Sequence, residues 1–176
     1  MLPIALPALL ALNFMTPHPS GGDDPVAKKV HKIHQRVLTL DTHADAPIMM
    51  KKDGFDVGQT HDTKRDQSQI DFPRMKQGGM DAMFFAVYTS QGPRTPEGHA
   101  DAKRDALNQF DLIHQALKKY PNLAELATSP ADAYRIQKAG KRAVFIGMEN
   151  GYPVGDDLSM LQKYYDLGAR YITLTH

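Results

Sequence analysis

Two stretches of this chain, Ala82-Met83-Phe84-Phe85-Ala86-Val87-Tyr88 and Ala143-Val144-Phe145-Ile146-Gly147-Met148-Glu149, are apolar almost without a break. A strand with one wet face alternates apolar and polar residues. A strand without that alternation is buried on both faces, as in a parallel sheet covered by helices. Helical patterns separate these runs from one another and from the other strand candidates, so the chain reads as successive βα units joined by right-handed crossovers. The fold class is α/β.

The punctuation supports this order. Residues 25–36 read as a polar helix, and Val37 to Leu40 as the first strand. A short helix follows a long loop, with Asp71 as cap, Pro73 in the first turn and Gly78-Gly79 as stop. Thr95-Pro96 opens a long helix whose stripe is Leu107, Phe110, His114 and Leu117, ended by Pro121. Ser129-Pro130-Ala131-Asp132 starts another that stops at Gly140. Leu158, Leu161 and Tyr165 form the expected buried stripe of the last helix, and Tyr171 to Thr175 the fourth strand.

Four metal-type side chains fall at the carboxyl ends of these strands: His43 and Asp45 after the first, Glu149 after the third, and His176 after the fourth. At spacing i, i+2 in a strand, His43 and Asp45 share a face and can reach one cation, with Pro47 closing the strand behind them. In a (β/α) barrel this rim is where chemistry is assembled. Asp41 either orients the His43 ring or makes a strand-end hydrogen bond to backbone. His31, His34, His61, His99 and His114 read as surface histidines, with His114 on the long helix's stripe.

Composition removes several classes. The chain has no cysteine, so disulfides, thiolate nucleophiles and Cys-ligated zinc are excluded, and any metal must sit on His and carboxylate. Lys plus Arg is 21 against 20 for Asp plus Glu, with no basic run interleaved with aromatics, which argues against nucleic acid as partner. Gly78-Gly79 lacks the Lys-Ser/Thr of a phosphate loop, and there is no Gly-x-Ser-x-Gly elbow. Leu2 to Met15 is apolar but too short and proline-broken to span a bilayer. It has the character of a secretory h-region without a basic start, and Thr16 to Asp24 continues it as a flexible stretch. The expected organisation is a signal-like leader over 1–24 and a folded part over 25–176, with export as the expected destination and the cytoplasm as the alternative.

Five segments together carry a resemblance. They are Asp41-Thr42-His43-Ala44-Asp45-Ala46-Pro47, the run from Ile70 to Phe85, Gly92-Pro93-Arg94-Thr95-Pro96-Glu97-Gly98, Gly147-Met148-Glu149-Asn150-Gly151, and the run from Tyr164 to His176. In this order they resemble the membrane dipeptidases, the renal-dipeptidase-like zinc peptidases, in a bacterial version, over roughly residues 30–176.

The resemblance implies a (β/α)8 barrel of the TIM type, of which this chain holds about the first four units, with a binuclear zinc site that cleaves dipeptides, including those with a C-terminal D-residue. It implies that His43 and Asp45 bind one zinc, that Glu149 bridges both and is catalytic, and that His176 touches substrate and helps polarise the scissile carbonyl. Two zinc ions would lower the pKa of a bridging water to supply hydroxide. The two further His ligands of the second zinc and an Arg for the substrate carboxylate lie beyond position 176 in the family, and a whole barrel needs ~250 residues. The expectation is therefore the N-terminal half of a metallodipeptidase, inactive alone, with exposed half-barrel edges that favour self-association or a homodimer. Two alternatives stand beside it: a catalytically silent association module, and another metal-dependent amidohydrolase, although those present His-x-His where this chain has His43 and Asp45.

Overall fold

A computed structural model describes residues 24–176. The leader expected over 1–24 lies, apart from Asp24, outside the described residues. The chain runs α1 (Pro25–His34), β1 (Leu40–Ala44), α2 (Ala46–Met50), α3 (Thr63–Asp66), α4 (Phe72–Gln77), β2 (Ala82–Tyr88) and α5 (Pro96–Lys119). It continues through β3 (Ala124–Leu126), α6 (Pro130–Lys138), β4 (Arg142–Glu149), a 3-10 turn (Tyr152–Val154), α7 (Ser159–Asp166) and β5 (Ala169–Ile172).

All strand pairs are parallel, in the order β1-β2-β4. Both β3 and β5 then pair with β4, β3 along Arg142–Val144 and β5 further on along Ile146–Met148. The pleat sorts side chains cleanly. Met83, Phe85 and Val87 on β2 stand beside Val144, Ile146 and Met148 on β4, and pack with Ala106, Phe110 and Ile113 of α5, Phe72 and Met75 of α4, and Tyr164 of α7. The opposite face carries Phe84, Ala86 and Tyr88 beside Phe145, Gly147 and Glu149. Its lower part is packed by Ala133 and Ile136 of α6, and its upper part ends in the polar residues described below.

The helix ends form where local chemistry places them. Asp71 caps α4 by accepting from Arg74 N at 2.7 Å, Thr95 caps α5 through Gly98 N at 3.1 Å, and Ser129 caps α6 through Asp132 N at 3.2 Å. Pro73, Pro96 and Pro130 sit in the first turns. Gly79 and Gly140 leave their helices at φ 73° and 74°, where a Cβ would be strained.

Four expectations need correction. The first strand is Leu40–Ala44 and not Val37–Leu40, because Thr39 is tied down: its N–H donates to Asp81 Oδ2 (3.1 Å) and its hydroxyl to Gly79 O (2.7 Å), so the ladder opens only at Leu40 opposite Ala82. Pro47 does not close a strand but sits in the first turn of α2. The last strand begins two residues earlier, at Ala169, and ends at Ile172. On α7 the buried face is Met160 and Tyr164, while Leu161 and Tyr165 are 44% and 55% exposed and Leu158, at its N-cap, is 72% exposed. The short β3 and helices α2 and α3 have no counterpart in the sequence reading.

Candidate metal centre

The upper rim of the sheet gathers the four residues singled out by sequence. His43 is the fourth residue of β1 and Asp45 lies just past its end, at the N-cap position of α2 with φ −77° and ψ 27°. The two meet across the strand-to-helix turn and not along a strand face. Glu149 is the last residue of β4, and His176 follows the segment after β5.

Three of these converge on one point. His43 Nε2 lies 3.1 Å from Glu149 Oε2 and 3.4 Å from Asp45 Oδ1, and one ligand atom from each residue falls within 4.8 Å of the others. The second oxygen of the Glu149 carboxylate, Oε1, lies 3.3 Å from His176 Nε2. Glu149 is half-buried, whereas His43, Asp45 and His176 are exposed and open to a ligand. Among the described residues the ion pairs of Glu149 and Asp45 are with these histidines and with no Lys or Arg. One imidazole nitrogen facing two carboxylates unmatched by a fixed cation is a donor set suited to a hard or borderline divalent ion.

The surroundings fix the ligands. Asp41 does not touch the His43 ring; its carboxylate accepts from His43 N at 3.0 Å and holds the bulged end of β1. The ring is held instead by Tyr171, whose hydroxyl lies 3.2 Å from Nδ1 and donates to Thr42 O at 3.3 Å. Burial, and then the Glu149 and Asp45 carboxylates, push the Tyr171 hydroxyl up from its ordinary pKa, so it stays protonated. Glu149 is placed by Asn150, which adopts a left-handed conformation (φ 84°). Buried Asn150 donates from N to Thr173 Oγ1 (2.8 Å) and from Nδ2 to Thr89 O (3.0 Å), and its Oδ1 accepts from Tyr152 N (3.0 Å), which ties the ends of β2, β4 and β5 together. His176 packs edge-on against Tyr88, with ring centroids 5.0 Å apart.

Tyr171 and Asn150 were not singled out from the sequence. The available signal for Asn150 was its place in Gly-Met-Glu-Asn-Gly, since Asn accepts left-handed backbone readily. Among the other histidines, His61 departs from the surface reading: it stacks on Phe55 at 4.2 Å, its Nε2 lies 2.8 Å from Asp56 O, and its Nδ1 lies 3.2 Å from Asp66 Oδ2. His31 and His34 are exposed on α1, away from the rim. His99 packs against Tyr152, and His114 Nε2 pairs with Leu167 O.

A parallel α/β sheet with a His–Asp–Glu cluster at its strand ends defines the class, a barrel-type scaffold with a candidate metal site at its rim. The comparisons agree and narrow it. Residues 27–176 match the model of the membrane dipeptidases, peptidase family M19, and the chain belongs to that family. It is 31% identical over 188 aligned residues to the dipeptidase tcpJ of Claviceps purpurea, covering all of this chain and 44% of the relative. It is 33% identical over 112 residues to the dipeptidase aclJ of Aspergillus oryzae, covering 61% of this chain and 26% of the relative. Among solved structures, the probable dipeptidase PvdM of Pseudomonas aeruginosa superposes with a TM-score of 0.74 at 24% identity, over 85% of this chain and 37% of that one. The metallopeptidase dipeptidase AC gives 0.67 at 21%, over 79% and 43%. These likenesses show the shared fold, and the chain spans less than half the length of the relatives it matches.

Proposed function

We propose that this chain forms the first half of the active site of a zinc-dependent dipeptidase, with His43, Asp45 and Glu149 as metal ligands and Glu149 and His176 as catalytic residues. The observation that carries the reading is the convergence of His43 Nε2, Asp45 Oδ1 and Glu149 Oε2 from three separate elements onto one point. The two oxygens of Glu149 face different partners, one the His43 side and one the His176 side. This leaves each oxygen able to serve a different ion, and we propose that Glu149 would hold two zinc ions in the full-length protein.

Bound zinc supplies Lewis acidity and depresses the pKa of water toward neutrality. The side chains supply the rest. His176, exposed at the rim, donates from Nε2 to the oxygen of the scissile carbonyl as charge builds on it. As a ligand at the rim, the Glu149 carboxylate would orient the attacking water, whose proton goes to the leaving amine as the C–N bond breaks. His43 and Asp45 hold position and carry no proton in this scheme.

The substrate is a dipeptide, and the tested set includes C-terminal D-residues, because a neighbour from Rhodobacter sphaeroides with a TM-score of 0.59 was solved with a phosphinate mimic of L-Ala-D-Ala. Among the described residues His43 and His176 are the histidines at the rim, so we propose that the 176 residues alone hold one zinc firmly and turn over dipeptide slowly or not at all. The test is dipeptide hydrolysis by the full-length gene product before and after chelation, with zinc added back. Hydrolysis that survives complete removal of metal overturns the reading.

A second reading, association through uncovered surface, is favoured by the exposed Leu158 at the N-cap of α7 and Leu161 and Tyr165 on it. Sedimentation velocity over a hundredfold concentration range tests it, and a monomer throughout rejects it. We also propose export, which N-terminal sequencing of the mature protein tests.

A further inference from the structure

We infer that Tyr171 is a positioning residue for the metal centre: its hydroxyl fixes the His43 ring so that Nε2 faces Asp45 and Glu149, through a slot opened by Gly147. The inference rests on the metal-ligand reading above and deepens it.

The contact is not one that neighbouring strands make by default. His43 stands on β1 and Tyr171 on β5, with β2 and β4 between them. Three strand spacings in a flat sheet are about 14 Å. The hydroxyl nevertheless reaches Nδ1 at 3.2 Å, because the sheet curls and the phenol ring lies across its concave face. The ring passes over Phe84, at 5.1 Å between centroids, and over Gly147, its register partner on β4. A Cβ built at Gly147 would overlap ring atoms Cζ and Cε1 and the hydroxyl of Tyr171. Any side chain at 147 therefore displaces the ring.

Irregularities on both outer strands aim the two partners. On β5 the pairing steps from Ala169↔Ile146 to Tyr171↔Gly147, so Arg170 is an extra residue and Tyr171, which strict alternation would turn toward the helices, faces the site. On β1 the pairing steps from Asp41↔Met83 to Ala44↔Phe85, with one extra residue in the stretch that carries His43. Both strands break register where they contribute to this one contact.

The hydrogen bonds give the contact direction. The Tyr171 hydroxyl has one proton and donates it to Thr42 O, so it receives from His43 Nδ1–H. With the proton on Nδ1, the Nε2 lone pair is the one offered to a metal. Outer partners of this kind typically contribute ten- to hundredfold to metal affinity.

The test uses the 176-residue chain. Tyr171→Phe keeps the ring over Phe84 and Gly147 and removes only the hydroxyl. In metal-free wild type, 15N-edited NMR is expected to show His43 Nδ1–H protected from solvent exchange, and Y171F is expected to lose that protection. In competition titrations Y171F is expected to bind zinc about ten- to hundredfold more weakly with an unchanged melting temperature. Gly147→Ala keeps the hydroxyl but shifts the ring, and is expected to weaken zinc similarly; the double variant is expected to be no weaker than the weaker single. Retained Nδ1–H protection in Y171F, zinc affinity equal to wild type, or additive losses in the double variant overturns the inference. His43→Ala separates the two readings. If it abolishes zinc binding while Y171F does not weaken it, only the role of Tyr171 fails; if it leaves zinc affinity unchanged, the metal-ligand reading fails and takes this one with it.

Discussion

Asp71 caps α4 with one carboxylate oxygen and binds two further donors with the other, a second role that replacement with Asn is expected to expose. Its Oδ1 accepts from Arg74 N at 2.7 Å, the capping bond of α4. Its Oδ2 accepts from Arg74 Nε at 2.6 Å and from His61 N at 3.0 Å, and the side chain is fully buried. Asn caps as well as Asp, so Asp71→Asn keeps the first bond at a cost of a few tenths of a kcal/mol at most. The new amide nitrogen, however, would stand against two donors. That removes a charge-assisted bond worth about 1.5–3 kcal/mol and leaves the His61 N–H unpaired in a part-buried site at about 1 kcal/mol more. Arg74 recovers part of this, because it is partly exposed and keeps its bonds to Thr63 Oγ1 and Ser68 O. The expected loss is about 2–3 kcal/mol for Asn, with Ala about 1 kcal/mol worse for the lost cap. Urea unfolding followed by circular dichroism at constant slope measures both. Asn within about 0.5 kcal/mol of wild type would show that capping alone explains Asp71 and would refute this account of the Arg74 and His61 bonds.

Phe110→Ala empties the centre of the core, where the ring lies fully buried and parallel to Tyr164 at 5.7 Å; a loss of about 3–5 kcal/mol is expected in the same assay. Asp132 is held down to about 2 from 3.8, chiefly by the Ser129 hydroxyl and then by the Thr128 N–H. A folded-state pKa below the unfolded one contributes stability that is present above 3.8 and lost as pH falls toward 2, so Asp132→Ala is expected to destabilise at pH 6 and to match wild type near pH 2 in acid unfolding curves. Zinc at a hundred times its dissociation constant is expected to stabilise the chain by about 2.7 kcal/mol, and Glu149→Gln to lose most of that shift in thermal melts.

What the sequence reveals here divides by how local the cause is. The caps and stops of α4, α5 and α6 are legible because Asp71, Thr95, Ser129 and Gly140 act within one turn of themselves. The strands β2 and β4 are legible because burial on both faces removes alternation, a property of the run alone. The start of β1 is not legible because distant residues decide it: Asp81 and Gly79, some 40 positions away, take the N–H and hydroxyl of Thr39, which joins β2 only through its carbonyl, accepting from Ala82 N. The four rim residues are legible because ionisable side chains at strand ends have a chemical reason to be there, but Tyr171 is not, because its partner is 128 residues away and its facing depends on one irregular step in β5.

The α7 reversal has the same origin and says the most about the molecule. Both Leu158, Leu161, Tyr165 and Met160, Tyr164 satisfy helical spacing, so periodicity offers two apolar faces and cannot rank them. The structure ranks them by what is present to pack: Met160 and Tyr164 meet the sheet core with Phe110 and Met148, and the Tyr164 hydroxyl donates to Pro153 O at 3.0 Å. The second face meets nothing comparable among the described residues. A helix apolar on two sides is suited to a place between two neighbours. In a (β/α) barrel each helix has one on either side, and the two apolar faces of α7 have the pattern of a helix in such a position.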